Sequence, residues 1–557
     1  MTASTGGAER VLELPVAVEV VRNGLAAVAD EMAITEVRTA YSTVVRDMLD
    51  FSTAVCDAEG RVLSQGLTLA LQLGAIPRFM RALLDQIGTA ERGDVWVAND
   101  PWHLGTHLPD LFFTKPVYLE GEAAPIAYAT IVSHVIDIGG NFPGGIAVEA
   151  TSLWQEGLLV PPTRIVRAGK RNEEVLRLIA ANTRDPAKVL GDIRSVLAAL
   201  ETGAEQVRDL AARLGAADLR RFTDELLDNT ERATRAALAR IPDGVGEATD
   251  HLDDDGVGGP PIVFHCRVEK RGEHLSFDFT GTGEQVPSAY NTTLADVASV
   301  VTFAARAALG EDLAVNDGFN RCIDFEVPEG TIVNARPKSA VNSRAASVYR
   351  LTDVALAALS RIAERGLPAN DGGPGVVYLS GEDAERGVWI FCDYVQSGWG
   401  ATPTHDGVAG ASHPISNAAN VPVEVAEEEY PVRIVEFGLL PGTAGAGTFV
   451  GSPSTTRCYE ILADGIQLSM RLERKRFAPQ GLAGGGAGAA ATCQIDRGDG
   501  WEDVPAKLTT ILDRGDRLRI ALAAGGGWGP PGERSAAAQV RDRRNGMEPH
   551  DGAETSA

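Results

Sequence analysis

The chain has 557 residues, 44% hydrophobic and 23% charged, an ordinary globular composition large enough for two or more domains. Asp and Glu (76) outnumber Lys and Arg (51), and the formal charge of −25 repels phosphate backbones and anionic lipid, so no nucleic-acid or membrane partner is expected. There is no apolar run of about 18 residues, no basic-then-apolar secretion signal, and no CxxC among six scattered cysteines, which read as reduced thiols of a cytoplasmic protein.

Residues 1–14 read as a flexible arm. From 15 to 41 the apolar positions Val18, Val21, Leu25, Val28 and Met32 fall at helical spacing. A hairpin is expected over 51–63, around the turn Asp57-Ala58-Glu59-Gly60, with Asp50 standing just before its first strand. Residues 67–92 read as helical and 94–98 as a strand.

Residues 99–145 hold the densest chemistry. Two apolar runs, LFFTKPVYL and APIAYATIV, read as neighbouring buried strands, and each lies beside a histidine three residues before an aspartate: His107/Asp110 and His134/Asp137. Glycine and proline around these pairs argue for turns at strand ends, where a rigid sheet usually mounts reactive groups. Each pair alone also reads as a local contact that closes a turn; two pairs in one hairpin favour a shared site. Residues 172–240 are strongly helical, with a break or kink expected at Pro186. The stretch 250–259 (DHLDDDGVGG) is acidic and glycine-rich but lacks the spacing and closing Glu of a calcium loop, so a solvated turn is expected.

Beyond residue 250, strand-like segments alternate with two helical ones, and the final third is antiparallel in pattern, with glycine- and proline-rich turns. The expected organisation is a flexible arm (1–14), a metal-site region with its helical segment (15–250), a sheet-rich region (251–540) and a polar, disordered tail (541–557). The fold class is α+β, with mixed and antiparallel sheets and a glycine-rich, strand-rich C-terminal region.

No GxxxxGK[ST] or GxSxG motif is present, and the glycine-dense runs GLAGGGAGAAA and AAGGGWGPPG are not a clean GxGxxG between strand and helix; they suit close backbone packing better than phosphate binding. Two imidazoles with carboxylates suit a divalent metal (zinc, manganese or iron) that lowers the pKa of bound water and polarises a carbonyl. The candidate ligands are Asp50, His107, Asp110 and His134. Asp137 is then a general base or an orienter of an imidazole, and His103 a residue lining the pocket.

NDPWHLGTHLPD, HVIDIGG, EGLLVPPTRI, LIAANTRDPAKVLGDI, FDFTGTGEQ, PEGTIVNARP, NVPVEVAEEEYPV and AAGGGWGPP follow one another over residues 12–546 in the order of the hydantoinase B family, which the chain resembles. The family includes B subunits of ATP-dependent N-methylhydantoinases, the C-terminal half of 5-oxoprolinases, caprolactamase and acetone carboxylase alpha subunits. The resemblance implies a catalytic B subunit that opens a cyclic amide (a hydantoin, oxoproline or lactam). The hydantoinase A-type ATPase subunit of such a complex takes up ATP and phosphorylates the amide oxygen, and a heterotetramer is expected. The family's ligands carry over to Asp50, His107, Asp110 and His134. Ketone carboxylation and a non-catalytic scaffold are the alternatives. Three features depart from the family pattern and bear on the substrate pocket: Asp47-Met48, Val135, and the segment FVGSPSTTR over 449–457.

Overall fold

The structure is a computed structural model that describes residues 14–549 except 89, 311–312, 364–365 and 385. The N-terminal arm therefore lies outside the described residues, apart from Leu14, which opens the helix Leu14–Thr39. No helix among the described residues is long and apolar enough to cross a membrane.

A seven-stranded antiparallel sheet organises the first part of the chain. Its strands are β1 (Phe51–Asp57), β2 (Val62–Gln65), β3 (Val95–Ala98), β4 (Asp110–Val117), β5 (Ala127–His134), β6 (Thr163–Arg167) and β7 (Lys170–Arg171), in the order β2-β1-β5-β4-β3-β6-β7. Strands β1, β4 and β5 are buried along their whole length because both faces are covered. Val55, Phe113 and Ile131 share a core with the helices Leu14–Thr39 and Pro186–Leu214. Ala54, Phe112 and Val132 face the helix Ile76–Ile87, with the Phe79 and Phe112 rings 4.9 Å apart. Two covered faces explain why these strands read as continuous apolar runs rather than as an alternation.

The helical stretch resolves into Glu173–Ala181, Pro186–Leu214 and Ala216–Leu238. Pro186 does not kink a long helix; it starts a new one, where its missing N–H is no loss, and the Asp185 carboxylate caps that helix through Lys188 N at 3.0 Å.

A second sheet holds β8 (Gly244–Leu252), β9 (Ile262–Arg271), β10 (His274–Asp278) and β11 (Ile323–Glu326) in the order β11-β10-β9-β8. β10 and β11 run parallel, as the crossover through the helix Leu294–Leu309 requires. The helix Ala345–Leu359 packs on β8 and β9. Two antiparallel sheets complete the fold. One orders β12 (Gly375–Asp383), β13 (Gly387–Val395), β16 (Ile466–Arg471) and β19 (Lys507–Leu512) as β13-β12-β16-β19. The other orders β14 (Val432–Leu440), β15 (Ser454–Ile461), β17 (Thr492–Asp496), β18 (Trp501–Asp503) and β20 (Arg517–Ala521) as β14-β15-β20-β17-β18. The whole is α+β, as expected.

The glycine-dense runs pack backbone on backbone: a Cβ on Gly451 would sit 1.9 Å from the Gly525 carbonyl oxygen, and one on Gly485 2.2 Å from that of Gly527. The expectation of disorder from residue 541 is corrected, because the helix Ala536–Asn545 covers that point. Ser535 caps it through Ala538 N at 3.2 Å, and Arg534 holds Asp542 from the preceding turn at 2.6 Å. Residues 550–557 lie outside the described residues.

The second sheet's helices meet the first sheet at Gly74, which closes the short helix Ala70–Leu73. A Cβ there would lie 2.4 Å from the Ser299 Cα and 2.6 Å from its nitrogen, backbone atoms of a buried helix. Gly74→Ala is expected to lower unfolding free energy in urea by about 1–3 kcal/mol, the usual cost of overpacking. Gly438→Ala, at an open position with nothing within 4 Å, should stay near the parent.

Candidate metal centre

Sheet register builds the site. In the β4–β5 pairing Asp110 stands directly opposite His134. In the β1–β5 pairing Phe51 stands opposite Ser133, and the His134 N–H donates to the Asp50 carbonyl at 3.0 Å. Asp50, His134 and Asp110 therefore form one row across β1, β5 and β4. His107 joins from the turn before β4, which the Asp110 N–H closes on the His107 carbonyl at 3.1 Å.

The side chains converge. Asp110 Oδ1 lies 3.1 Å from His107 Nε2 and 3.0 Å from His134 Nδ1, and Asp50 Oδ2 lies 3.9 Å from His134 Nδ1. One donor atom each from His107, Asp110 and His134 falls within 4.8 Å of the others. His107, Asp110 and His134 are buried, and the Asp50 side chain is 17% exposed. Two neutral-capable imidazoles and a carboxylate are a donor set whose chemistry suits a divalent ion, with Asp50 at its edge.

Neighbours fix each group. The Asn342 carbonyl oxygen lies 3.2 Å from His107 Nδ1, which leaves Nε2 for the centre, a usual arrangement for a metal-binding histidine. Gln72 Nε2 donates to Asp50 Oδ1 at 3.0 Å and to Asp110 Oδ1 at 3.3 Å. Thr106 Oγ1 donates to Asp110 Oδ2 at 2.5 Å. Arg344 reaches the same oxygen at 2.6 Å and Asp296 at 2.7 Å.

Burial pushes the Asp50 carboxyl up to about 6, against the pull of the His134 charge. Burial alone would raise Asp110 too, but its close contacts with His107, Arg344 and His134 hold it well below the carboxylate range. Burial takes His107 down to about 4, which keeps it neutral with a lone pair available. Burial also opposes a charge on His134, yet Asp50 and the Asp110 hydrogen bond outweigh it and its pKa is raised.

These groups line a cavity with about 70 Å3 of free space, whose walls also include Val44, Met48, Leu71, Tyr349, Tyr378 and Tyr394. Asp137 is not part of it. Its buried carboxylate accepts the Gly144 N–H at 2.8 Å, the Thr183 hydroxyl at 3.2 Å and the Arg184 N–H at 2.6 Å, and pairs with the Arg184 guanidinium at 3.0 Å. That network leaves it a fastener of two loops. His103 is exposed and lines a separate groove with Arg78, Trp102 and Thr293. The sequence reading passed over Gln72, Thr106, Asn342 and Arg344. The polar NSR triplet at 342–344, between an extended segment and an apolar helix, was the available signal. Of the positions that depart from the family pattern, Met48 lines the cavity, whereas Arg457 is fully buried against Asp393 at 3.1 Å.

This fold belongs with a known class. The Hydantoinase B/oxoprolinase family matches residues 14–531, and the chain belongs to that family. An uncharacterised protein of Methanocaldococcus jannaschii is 31% identical over 93% of this chain and 91% of its own length. A putative B-type D-/L-hydantoinase polypeptide of a Pseudomonas species is 28% identical over 96% of this chain and 93% of its own. Among solved structures, ATP-dependent caprolactamase from Pseudomonas jessenii superposes with a TM-score of 0.88 at 27% identity, covering 97% of this chain and 95% of that one. Nucleotide-free acetone carboxylase shares the fold, with a TM-score of 0.87 at 17% identity over 97% and 78% of the two chains.

One further buried acid shapes the centre from behind. Glu156 accepts the Val341 N–H at 2.9 Å and the Asn342 N–H at 2.7 Å, fixing the segment whose carbonyl meets His107. Burial pushes its carboxyl from the ordinary 4.5 up to about 8 despite these hydrogen bonds. The folded chain thus keeps a proton that the unfolded chain releases near pH 4.5. This contribution to stability is complete below that pH and is lost as pH rises to about 8. Glu156→Gln should flatten the decline in urea-unfolding free energy across that window; an unchanged slope would remove Glu156 as its source.

Proposed function

We propose that this chain is the B-type catalytic subunit of an ATP-dependent cyclic amidohydrolase, acting on a hydantoin, oxoproline or lactam ring. The observation that carries the reading is the convergence of Asp50, His107, Asp110 and His134 in the lining of a cavity that also presents apolar, tyrosine and arginine side chains. The family and the names of its relatives support the substrate class.

An amide is a poor electrophile, since resonance stabilises its carbonyl and its nitrogen leaves badly. Phosphorylation of the oxygen by an A-type ATPase partner, paired with this chain in a heterotetramer, makes the carbon imidate-like and open to water. Asp50, His107, Asp110 and His134 would hold zinc, manganese or iron; when bound, the ion polarises the activated group and lowers the pKa of water. The chain's own residues do the rest. Asn342 holds the His107 tautomer and Gln72 spans the two carboxylates. Arg344 keeps Asp110 ionised. The aromatic and aliphatic walls seat the ring and exclude bulk water.

The test is the purified complex with its A-type partner, assayed for ATP-dependent opening of hydantoins, 5-oxoproline and lactams, with elemental analysis alongside. His107→Ala and His134→Ala should each lose metal and lower turnover by more than the ~10–100-fold typical of outer partners. Full activity in both variants would leave the chain a scaffold. A bicarbonate requirement with ketone substrates would assign carboxylation instead.

A further inference from the structure

Four arginines line the cavity: Arg344, Arg350, Arg471 and Arg474. Three are matched by buried carboxylates. Arg344 pairs with Asp110 and Asp296. Arg350 lies 3.1 Å from Asp250 and 3.4 Å from Asp353. Arg474 meets the same two aspartates at 2.8 and 2.5 Å.

Arg471 is different. It ends β16, in register with Val376 of β12 and Lys507 of β19, and is 8% exposed. Its Nη1 donates to Ser343 Oγ at 3.1 Å, and its guanidinium carbon lies 5.4 Å from the Tyr378 ring centroid. Its Nε makes no hydrogen bond, as in the other three, but Arg471 alone of the four has no carboxylate paired with it among the described residues. The hydroxyl of Tyr290, fully buried and lining the same cavity, also lacks a partner. A guanidinium held out of water without an anion is costly unless something anionic visits it. Its planar fork suits the paired oxygens of a carboxylate or phosphoryl group.

We propose that Arg471, with Tyr290 in the same cavity wall, anchors an oxyanion on the substrate. The oxyanion is either a carboxylate on the cyclic amide or the phosphoryl group placed on its oxygen. The proposal rests on the reading of this cavity as the substrate site and goes beyond it by naming the charge that the substrate must present. Arg471 is a specificity residue, since it lies on a strand separate from the row that holds the candidate ligands.

The test uses the full chain and needs no turnover. The wild type, Arg471→Lys and Arg471→Met are titrated calorimetrically with 5-oxoprolinate, with 2-pyrrolidinone (the same ring without the carboxylate) and with inorganic phosphate. The wild type should bind at least one anion about 10–100-fold more tightly than 2-pyrrolidinone, the scale of a charge-assisted hydrogen bond. Arg471→Met should erase that preference while leaving 2-pyrrolidinone binding and thermal stability unchanged, and Arg471→Lys should keep part of it. Preference for 5-oxoprolinate assigns the carboxylate; preference for phosphate assigns the phosphoryl group. The proposal falls if the wild type prefers neither anion, or if a folded Arg471→Met, or Arg471→Lys should the former not fold, binds both as the wild type does. Failure of ATP-dependent ring opening in the complex would overturn the hydrolase reading separately, because these titrations measure binding alone.

Discussion

The pairing of β4 with β5 and of β5 with β1 sets Asp110 opposite His134 and the Asp50 carbonyl against the His134 N–H. In a strand, successive side chains point to opposite faces, so a slip of one residue in either pairing would send a candidate ligand into the apolar core. That slip is blocked by the same side chains that make the strands continuous apolar runs. Phe112 and Phe113 face opposite layers, one against the helix Ile76–Ile87 and the other against the helices Leu14–Thr39 and Pro186–Leu214. Exchanging the two would leave both layers mispacked. Hydrophobic patterning on both faces thus fixes the spacing of a polar row at the sheet's end.

Charge balance is the second constraint. The row brings two carboxylates out of water, and Arg344 is the buried cation that bridges one of them to Asp296. Asp296 in turn accepts the Thr292 hydroxyl at 2.6 Å and lies in the first turn of the helix Leu294–Leu309. A single guanidinium therefore ties the start of β4 to the start of a helix on the second sheet. Buried ion pairs contribute little net stability, but removing one partner strands the other's charge. Folding of the two parts around the centre is coupled for that reason.

Local spelling carried the four converging residues and misplaced two, Asp137 and His103. His107/Asp110 and His134/Asp137 share the same spacing, yet only the first keeps both members at the site. Asp110 begins β4, whereas Asp137 lies beyond the end of β5, and Gly139 and Gly140, both at positive φ, turn the chain back there. Asp137 thereby meets Arg184, a residue whose position depends on where Pro186 restarts the helix. The helices and most strands were legible from periodicity because local burial dictates it. The parallel partnership of β10 with β11, the role of Gln72 and the reach of Arg344 were not, since each depends on segments that meet only in the folded chain.

Three consecutive residues join the candidate ligands to Arg471. The Asn342 carbonyl faces His107, the Ser343 hydroxyl accepts from Arg471, and Arg344 grips Asp110. Glu156 holds the backbone just before them, and the helix Ala345–Leu359 begins just after them and packs on β8 and β9. The segment belongs neither to the first sheet nor to β16, yet it bonds to side chains of both. A displacement of the second sheet would therefore shift the imidazole, the carboxylate and the unmatched guanidinium together rather than one at a time.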